Sequence, residues 1–141
     1  DGANIEIREE VGDENFFVFG LTASEVEELR RHYDPAAIVA SDPDLARVMQ
    51  LLTSGHFNMF ETRIFDPIIG AILNPSDPWM VAADFRSFVN AQERVARAYR
   101  DREHWTRMSI INSASSGKFS TDRTITEYNN EIWHLKQVKP E

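Results

Sequence analysis

The stretch Ser115-Ser116-Gly117-Lys118-Phe119-Ser120-Thr121-Asp122-Arg123-Thr124 carries the residue types of a phosphate cradle. A glycine is followed directly by a lysine, hydroxyls flank the pair, and an amphipathic pattern begins just after it. Backbone N–H groups and a lysine ammonium arranged in this way would grip a nucleotide. The spacing does not fit that chemistry. A phosphate loop needs an earlier glycine, a hydroxyl directly after the lysine and a preceding strand. Here Phe119 follows Lys118, the earlier glycine is missing, and a helical pattern precedes the pair. The same residues make a corner between two helices. In that reading Gly117 ends the first helix in a left-handed conformation and Ser120 caps the second. Asp122 then complements the positive end of the second helix.

The other groups able to do chemistry are scattered. His32, His56, His104 and His134 are too far apart in sequence for a local metal motif. Glu6, Glu9, Glu10, Asp13 and Glu14 crowd together, but their spacing matches no calcium loop and reads as a solvated face. There is no G-x-S-x-G elbow. Phe85, Phe88, Tyr99 and Trp105 recur at helical spacing without basic residues arranged between them, as core residues do and stacking platforms do not. No catalytic, cofactor-binding or metal-binding residue is therefore assigned.

The elements that would hold these groups are mostly helical. Residues 3–11 read two ways: Ile5-Glu6-Ile7 alternates like a strand, while Asn4 followed by Ile5, Arg8 and Glu9 suits a short capped helix. Gly12-Asp13 is a turn. Phe16-Phe17-Val18-Phe19, closed by Gly20, reads as a short buried strand of a parallel sheet. Thr22-Ala23-Ser24-Glu25 is a capping box, which predicts a helix over 23–32 with Val26 and Leu29 inward. Asp34-Pro35 interrupts the chain, and Ser41-Asp42-Pro43 opens a helix striped by Leu45, Val48, Met49 and Leu52 that ends before Gly55. Phe65, Ile68, Ile69, Ile72 and Leu73 form another stripe. Asn74-Pro75-Ser76-Asp77-Pro78 is the strongest loop. Residues 79–83 read as a second buried strand. Helices are predicted over 86–100, with Phe88, Ala91, Val95 and Tyr99 inward, over 101–116, with Trp105, Met108 and Ile111 inward, and over 121–136. Two strands do not make a stable sheet alone. Either they join strands outside this chain, or the domain is effectively all-helical.

Composition bounds the function. At 141 residues the chain can form one domain that buries about 70% of its unfolded surface. A formal net charge of -8 leaves no basic stripe for a nucleic acid. The absence of cysteine excludes disulfide and thiolate chemistry and suits a reducing compartment. No apolar run approaches the roughly 20 residues of a membrane span. The chain opens on Asp1-Gly2, a turn-like pair running straight into apolar residues, which suits a segment of something longer and a chain that starts there equally well.

Several blocks resemble one family. Asp1-Gly2-Ala3-Asn4-Ile5-Glu6-Ile7, Glu14-Asn15-Phe16-Phe17-Val18-Phe19-Gly20-Leu21, Gln92-Glu93-Arg94-Val95, Glu103-His104-Trp105-Thr106-Arg107-Met108 and 116–125, Ser-Gly-Lys-Phe-Ser-Thr-Asp-Arg-Thr-Ile, closely resemble the C-terminal end of the glycogen, starch and maltodextrin phosphorylases. The blocks keep the family's order from Asp1 to Ile132-Trp133. The stretch between Ser54 and Phe65 and the tail after Trp133 match less well. The resemblance implies an α/β but predominantly helical segment, with two short parallel strands and about seven helices. It would be the C-terminal part of a Rossmann-like lobe in a two-lobed, GT-B type glycosyltransferase. Residues 1–141 would form a single segment whose terminal helix, 121–136, crosses to the other lobe. The resemblance turns residues 4–11 towards a helix and 116–123 towards a helix–helix corner.

The family cleaves α-1,4-glucans with inorganic phosphate to glucose 1-phosphate, using pyridoxal phosphate held on a lysine. The segment carrying that lysine lies before the Asp-Gly-Ala-Asn block, so no catalytic or cofactor-binding role carries over onto a residue of this sequence. Lys118, Lys136 and Lys139 lie outside that motif. The implied partners are the remainder of the polypeptide, α-glucan, phosphate and a second subunit in a cytoplasmic homodimer. The family's determinants of glucan preference and allosteric response lie mainly upstream. A different class of protein, a stand-alone helical interaction module derived from the same segment, is the rival expectation.

Overall fold

The computed structural model describes residues 2–59, 61, 63–136 and 138. Eight α-helices are present among the described residues: α1 (Gly2–Val11), α2 (Ala23–Leu29), α3 (Pro35–Ser41), α4 (Pro43–Thr53), α5 (Asp66–Ile72), α6 (Val81–Arg100), α7 (Arg102–Ser115) and α8 (Thr121–Tyr128). Short 3-10 turns occupy Asp13–Asn15 and Ser116–Phe119, and a π-helical turn, Asn129–Trp133, continues α8. The chain forms two compact units. One comprises Asp1–Phe17 with Ala96–Glu141, and the other is Val18–Val95.

In Val18–Val95 the helix starts are fixed by local chemistry. Thr22 and Glu25 form the full capping box ahead of α2. Asp34 accepts from the Ala37 N–H at 3.0 Å, with Pro35 in the first turn of α3. Asp42 ends α3 and caps α4, accepting from the N–H groups of Asp44 at 3.0 Å and Leu45 at 3.1 Å. Arg86 of α6 donates to the same Asp42 carboxylate at 2.8 and 2.6 Å, and to Asp44 at 2.7 Å. Gly55, just beyond α4, has φ +80°, which only glycine adopts without strain. The core gathers Tyr33, Leu45, Met49, Met80 and Ala82, with Leu52, Ile69 and Phe85 packed against it.

In the other unit, α1 packs on α7. Val11, Asn15 and Met108 are buried. The polar member is satisfied: Asn15 Nδ2 donates to the Val11 carbonyl at 2.8 Å, and Asn112 Nδ2 donates to the Asn15 carbonyl at 2.9 Å. Trp105 lies half-buried between Phe17, stacked at 6.4 Å, and Tyr99, edge-on at 5.2 Å.

Several expectations are corrected. No strand exists among the described residues, and neither 16–19 nor 79–83 is one of the two expected. Phe16 is extended, but the backbone beyond it is satisfied by side chains of α6 rather than by a neighbouring strand. Arg94 donates to the Val18 carbonyl at 2.8 Å, Ser87 Oγ accepts from Gly20 N–H at 3.0 Å, and Asp84 accepts from Leu21 N–H at 3.0 Å. At 79–83, Asp77 accepts from the N–H groups of Trp79 and Val81 at 2.9 and 3.0 Å, which curls the chain into a turn. Helix α6 therefore starts at Val81 rather than at residue 86. Within α6, Ala91 is buried and Val95 half-buried, but Phe88 and Tyr99 are exposed instead of inward. The last helix ends at Trp133, because His134 turns left-handed and donates its N–H to the Asn129 carbonyl at 2.7 Å. Residues 2–11 resolve to the helical alternative.

Candidate functional site

The Gly-Lys corner is structural. Ser116–Phe119 winds as a 3-10 turn, and Ser120 Oγ caps α8 by accepting from the Arg123 N–H at 3.3 Å. Gly117 lies inside the turn and is not left-handed, so the tighter turn rather than a glycine cap ends α7. The Lys118 ammonium is ion-paired with the Glu10 carboxylate of α1. That hydrogen bond raises the pKa of Lys118 and keeps it charged. The lysine thus ties the corner to α1.

The acidic cluster at residues 6–14 is likewise divided among separate partners. Glu10 takes Lys118, Asp13 pairs with Arg8, and Glu14 accepts from Asn15 Nδ2 at 3.1 Å. All four histidines are exposed. Among the described residues no group of three or more carboxylates and histidines is placed to hold a metal ion.

A cofactor held as a Schiff base requires a lysine that can shed its proton beside a phosphate cradle. Lys118 is held protonated by Glu10, Lys136 is exposed, and Lys139 lies outside the described residues. Lys118, paired with Glu10, is therefore a poor fit to that role.

One concavity lies in a stretch that the sequence alone leaves as a loop. Within Val18–Val95, the C-terminal end of α4, the following loop and the start of α5 enclose a cleft of about 400 Å³. Leu52, Phe65 and Ile69 supply apolar wall, while Asn58, Glu61, Arg63 and Asp66 bring polar groups to it. Arg63 Nε donates to Asp66 Oδ2 at 2.8 Å, and Asn58 Nδ2 donates to the Glu61 carbonyl. The Asn58 Oδ1 atom is buried and has no hydrogen-bond partner among the described residues. Two residues of this loop, Met59 at φ 49° and Arg63 at φ 70°, are left-handed without being glycine. The alternation of amide, acid, base and aromatic residues from Asn58 to Asp66 was the available sequence signal. It follows no motif spacing.

Comparison with known proteins identifies the family of this chain. The family model described as carbohydrate phosphorylase matches residues 1–135. Glycogen phosphorylase of Synechocystis sp. is 50% identical over 139 residues, covering 98% of this chain and 16% of that protein. Alpha-glucan phosphorylase 1 of Arabidopsis thaliana is 45% identical over 144 residues, 99% of this chain and 15% of the relative. Glycogen phosphorylase of Chlamydia pneumoniae is 42% identical over 135 residues, 96% of this chain and 16% of the relative. The chain spans about a sixth of the length of these curated relatives. With the match running through nearly every element described above, the chain belongs to the carbohydrate phosphorylase family.

Proposed function

We propose that residues 1–141 are part of an α-1,4-glucan phosphorylase that transfers the terminal glucosyl unit of a glucan to inorganic phosphate. The products are glucose 1-phosphate and a glucan one unit shorter. In this reading the chain supplies architecture. The pyridoxal phosphate lysine and the groups that grip the phosphates belong to other parts of the polypeptide, and the isolated chain is inactive. The observation that carries the proposal is the 50% identity to a glycogen phosphorylase over 98% of the chain.

The finer organisation follows the same reading. The chain lies in a Rossmann-like lobe of a GT-B type enzyme. Ile125, Tyr128, Ile132 and Trp133, all exposed along α8 and its π-helical continuation, pack on the other lobe. The enzyme is a cytoplasmic homodimer. One relative named as cytosolic, alpha-glucan phosphorylase 2 of Arabidopsis thaliana, is 42% identical over 96% of the chain, which supports the compartment.

A chimera tests the function. Residues 1–141 replace the matching segment of the Synechocystis glycogen phosphorylase, and glucose 1-phosphate release from maltoheptaose is measured. Turnover within about tenfold of the parent enzyme is expected, equivalent to a barrier change under about 1.4 kcal/mol. A folded, cofactor-loaded chimera without turnover would refute the proposal.

A further inference from the structure

The cleft between α4 and α5 remains unexplained by an architectural role, and its chemistry selects a class of ligand. Its volume of about 400 Å³ falls within the range of roughly 300–1,000 Å³ typical of small-molecule sites. Phe65 and Ile69 offer apolar surface, and Asn58, Glu61, Arg63 and Asp66 are planar groups with neighbouring polar atoms, some engaged with one another and the Asn58 Oδ1 open to a donor. Neighbouring hydroxyls of a sugar ring match that spacing, and the ring's C–H face matches the aromatic surface.

Other classes fit less well. Two carboxylates outweigh one guanidinium that is already paired with Asp66, which disfavours phosphate and other anions. An apolar ligand would leave the buried Asn58 Oδ1 without a donor. A hydroxyl supplies the missing donor. The left-handed residues Met59 and Arg63 hold the loop in a costly conformation, as loops that clamp ligands often are.

We propose that this cleft binds a neutral polyhydroxylated ligand, one or two rings of an α-glucan, through Asn58, Glu61, Arg63 and Asp66 around Phe65. The identity of the sugar rests on the phosphorylase reading above, whereas the polyhydroxyl class rests on the cleft itself.

The test uses the full-length polypeptide that carries these residues, run by affinity electrophoresis through gels containing amylopectin. Maltotetraose phosphorolysis is measured alongside. Asn58→Leu, Glu61→Ala and Arg63→Gln are compared with the parent. The parent should be retarded by amylopectin, and each variant should lose about tenfold in apparent affinity, the equivalent of one unmade hydrogen bond to a buried or charged group. Maltotetraose turnover should stay within twofold of the parent. Arg63 is 84% exposed, so Arg63→Gln decides the case if either other variant loses turnover through misfolding. Retardation of the folded variants equal to the parent, or no retardation of the parent, would overturn the proposal. Competition by cellopentaose as effective as that by maltoheptaose would overturn the α-glucan assignment. A parent that is retarded through the cleft but does not phosphorolyse maltotetraose would sink the phosphorylase reading and leave the polyhydroxyl site standing.

Discussion

Met80 should respond to glycine and alanine unlike any other buried methionine in the chain. It is 2% exposed, and its φ of 51° places it in the left-handed region. The Asp77 carboxylate imposes that conformation by holding the N–H groups of Trp79 and Val81 on either side. Met80→Ala removes a buried thioether chain and should cost about 2–5 kcal/mol. Alanine still bears the left-handed penalty of about 1–2 kcal/mol that methionine bears. Met80→Gly escapes that penalty. It loses one further buried carbon, about 0.8 kcal/mol, and gains unfolded-chain freedom, about 0.5–1 kcal/mol. These terms nearly cancel, so the two variants should be equally stable within about 1 kcal/mol. Met49 is the control, because it is equally a core residue but sits inside α4. There glycine should fall below alanine by about 2 kcal/mol, the sum of helix propensity and the lost carbon. The assay is scanning calorimetry of the four variants in the polypeptide that carries this segment, comparing the Ala-to-Gly gap in midpoint at each site. Equal gaps at residues 49 and 80 would refute the reasoning, because the left-handed backbone at Met80 would then carry no energy.

Four further outcomes are expected. Trp105→Ala should destabilise by about 2 kcal/mol in a thermal melt, less than the roughly 3–5 kcal/mol of a fully buried tryptophan, because the ring is half-buried against Phe17 and Tyr99. An unchanged melt would show that these ring contacts are not made. The Arg86 hydrogen bonds hold the Asp42 carboxyl down to about 2 from 3.8, so its contribution is complete above pH 3.8 and is lost as pH falls through about 2. Asp42→Asn should therefore flatten the acid limb of stability between those values, and an unaltered limb would contradict the pairing. Borohydride reduction with pyridoxal phosphate, followed by peptide mapping, should leave Lys118, Lys136 and Lys139 without a stoichiometric adduct, and one adduct on any of them would reverse the assignment. The isolated 1–141 chain should aggregate or stay partly molten, and a monodisperse monomer with sharp near-ultraviolet circular dichroism and a cooperative melt would revive the stand-alone module.

The helix boundaries that were legible in the sequence are those set within a few residues of the chain. The Thr22–Glu25 box, the Asp42-Pro43 start and the Ser120 cap each satisfy end N–H groups with a neighbouring side chain, so spacing alone reveals them. The start of α6 was missed because the reading took Asp77 as a loop residue and not as the acceptor that starts the turn before Val81. The cleft was missed for a related reason. Its polar groups come from a helix end, a loop and a helix start, and they converge only once Gly55 and the left-handed residues have turned the chain. Their types were visible, but their convergence was not.

The false strands failed for a different reason, and their failure is informative. A short run such as Phe16–Phe19 or Trp79–Ala83 signals burial far more reliably than it signals a strand, because periodicity cannot separate the two in so few residues. Burial was the expectation common to both alternatives, sheet or helix. Yet Phe19 and Val81 are exposed and Trp79 is 78% exposed. Exposed apolar groups scattered singly need no explanation. Here, though, they fall in the very runs whose composition calls for cover. The polar side chains of α6 satisfy the backbone at Val18, Gly20 and Leu21, so what those runs lack is side-chain cover rather than hydrogen bonds. The conflict between a composition made for the interior and a position at the surface disappears if other parts of a longer polypeptide lie against these residues. It is the physical counterpart of a chain that matches about a sixth of each relative, and it supports the fragment reading independently of sequence identity.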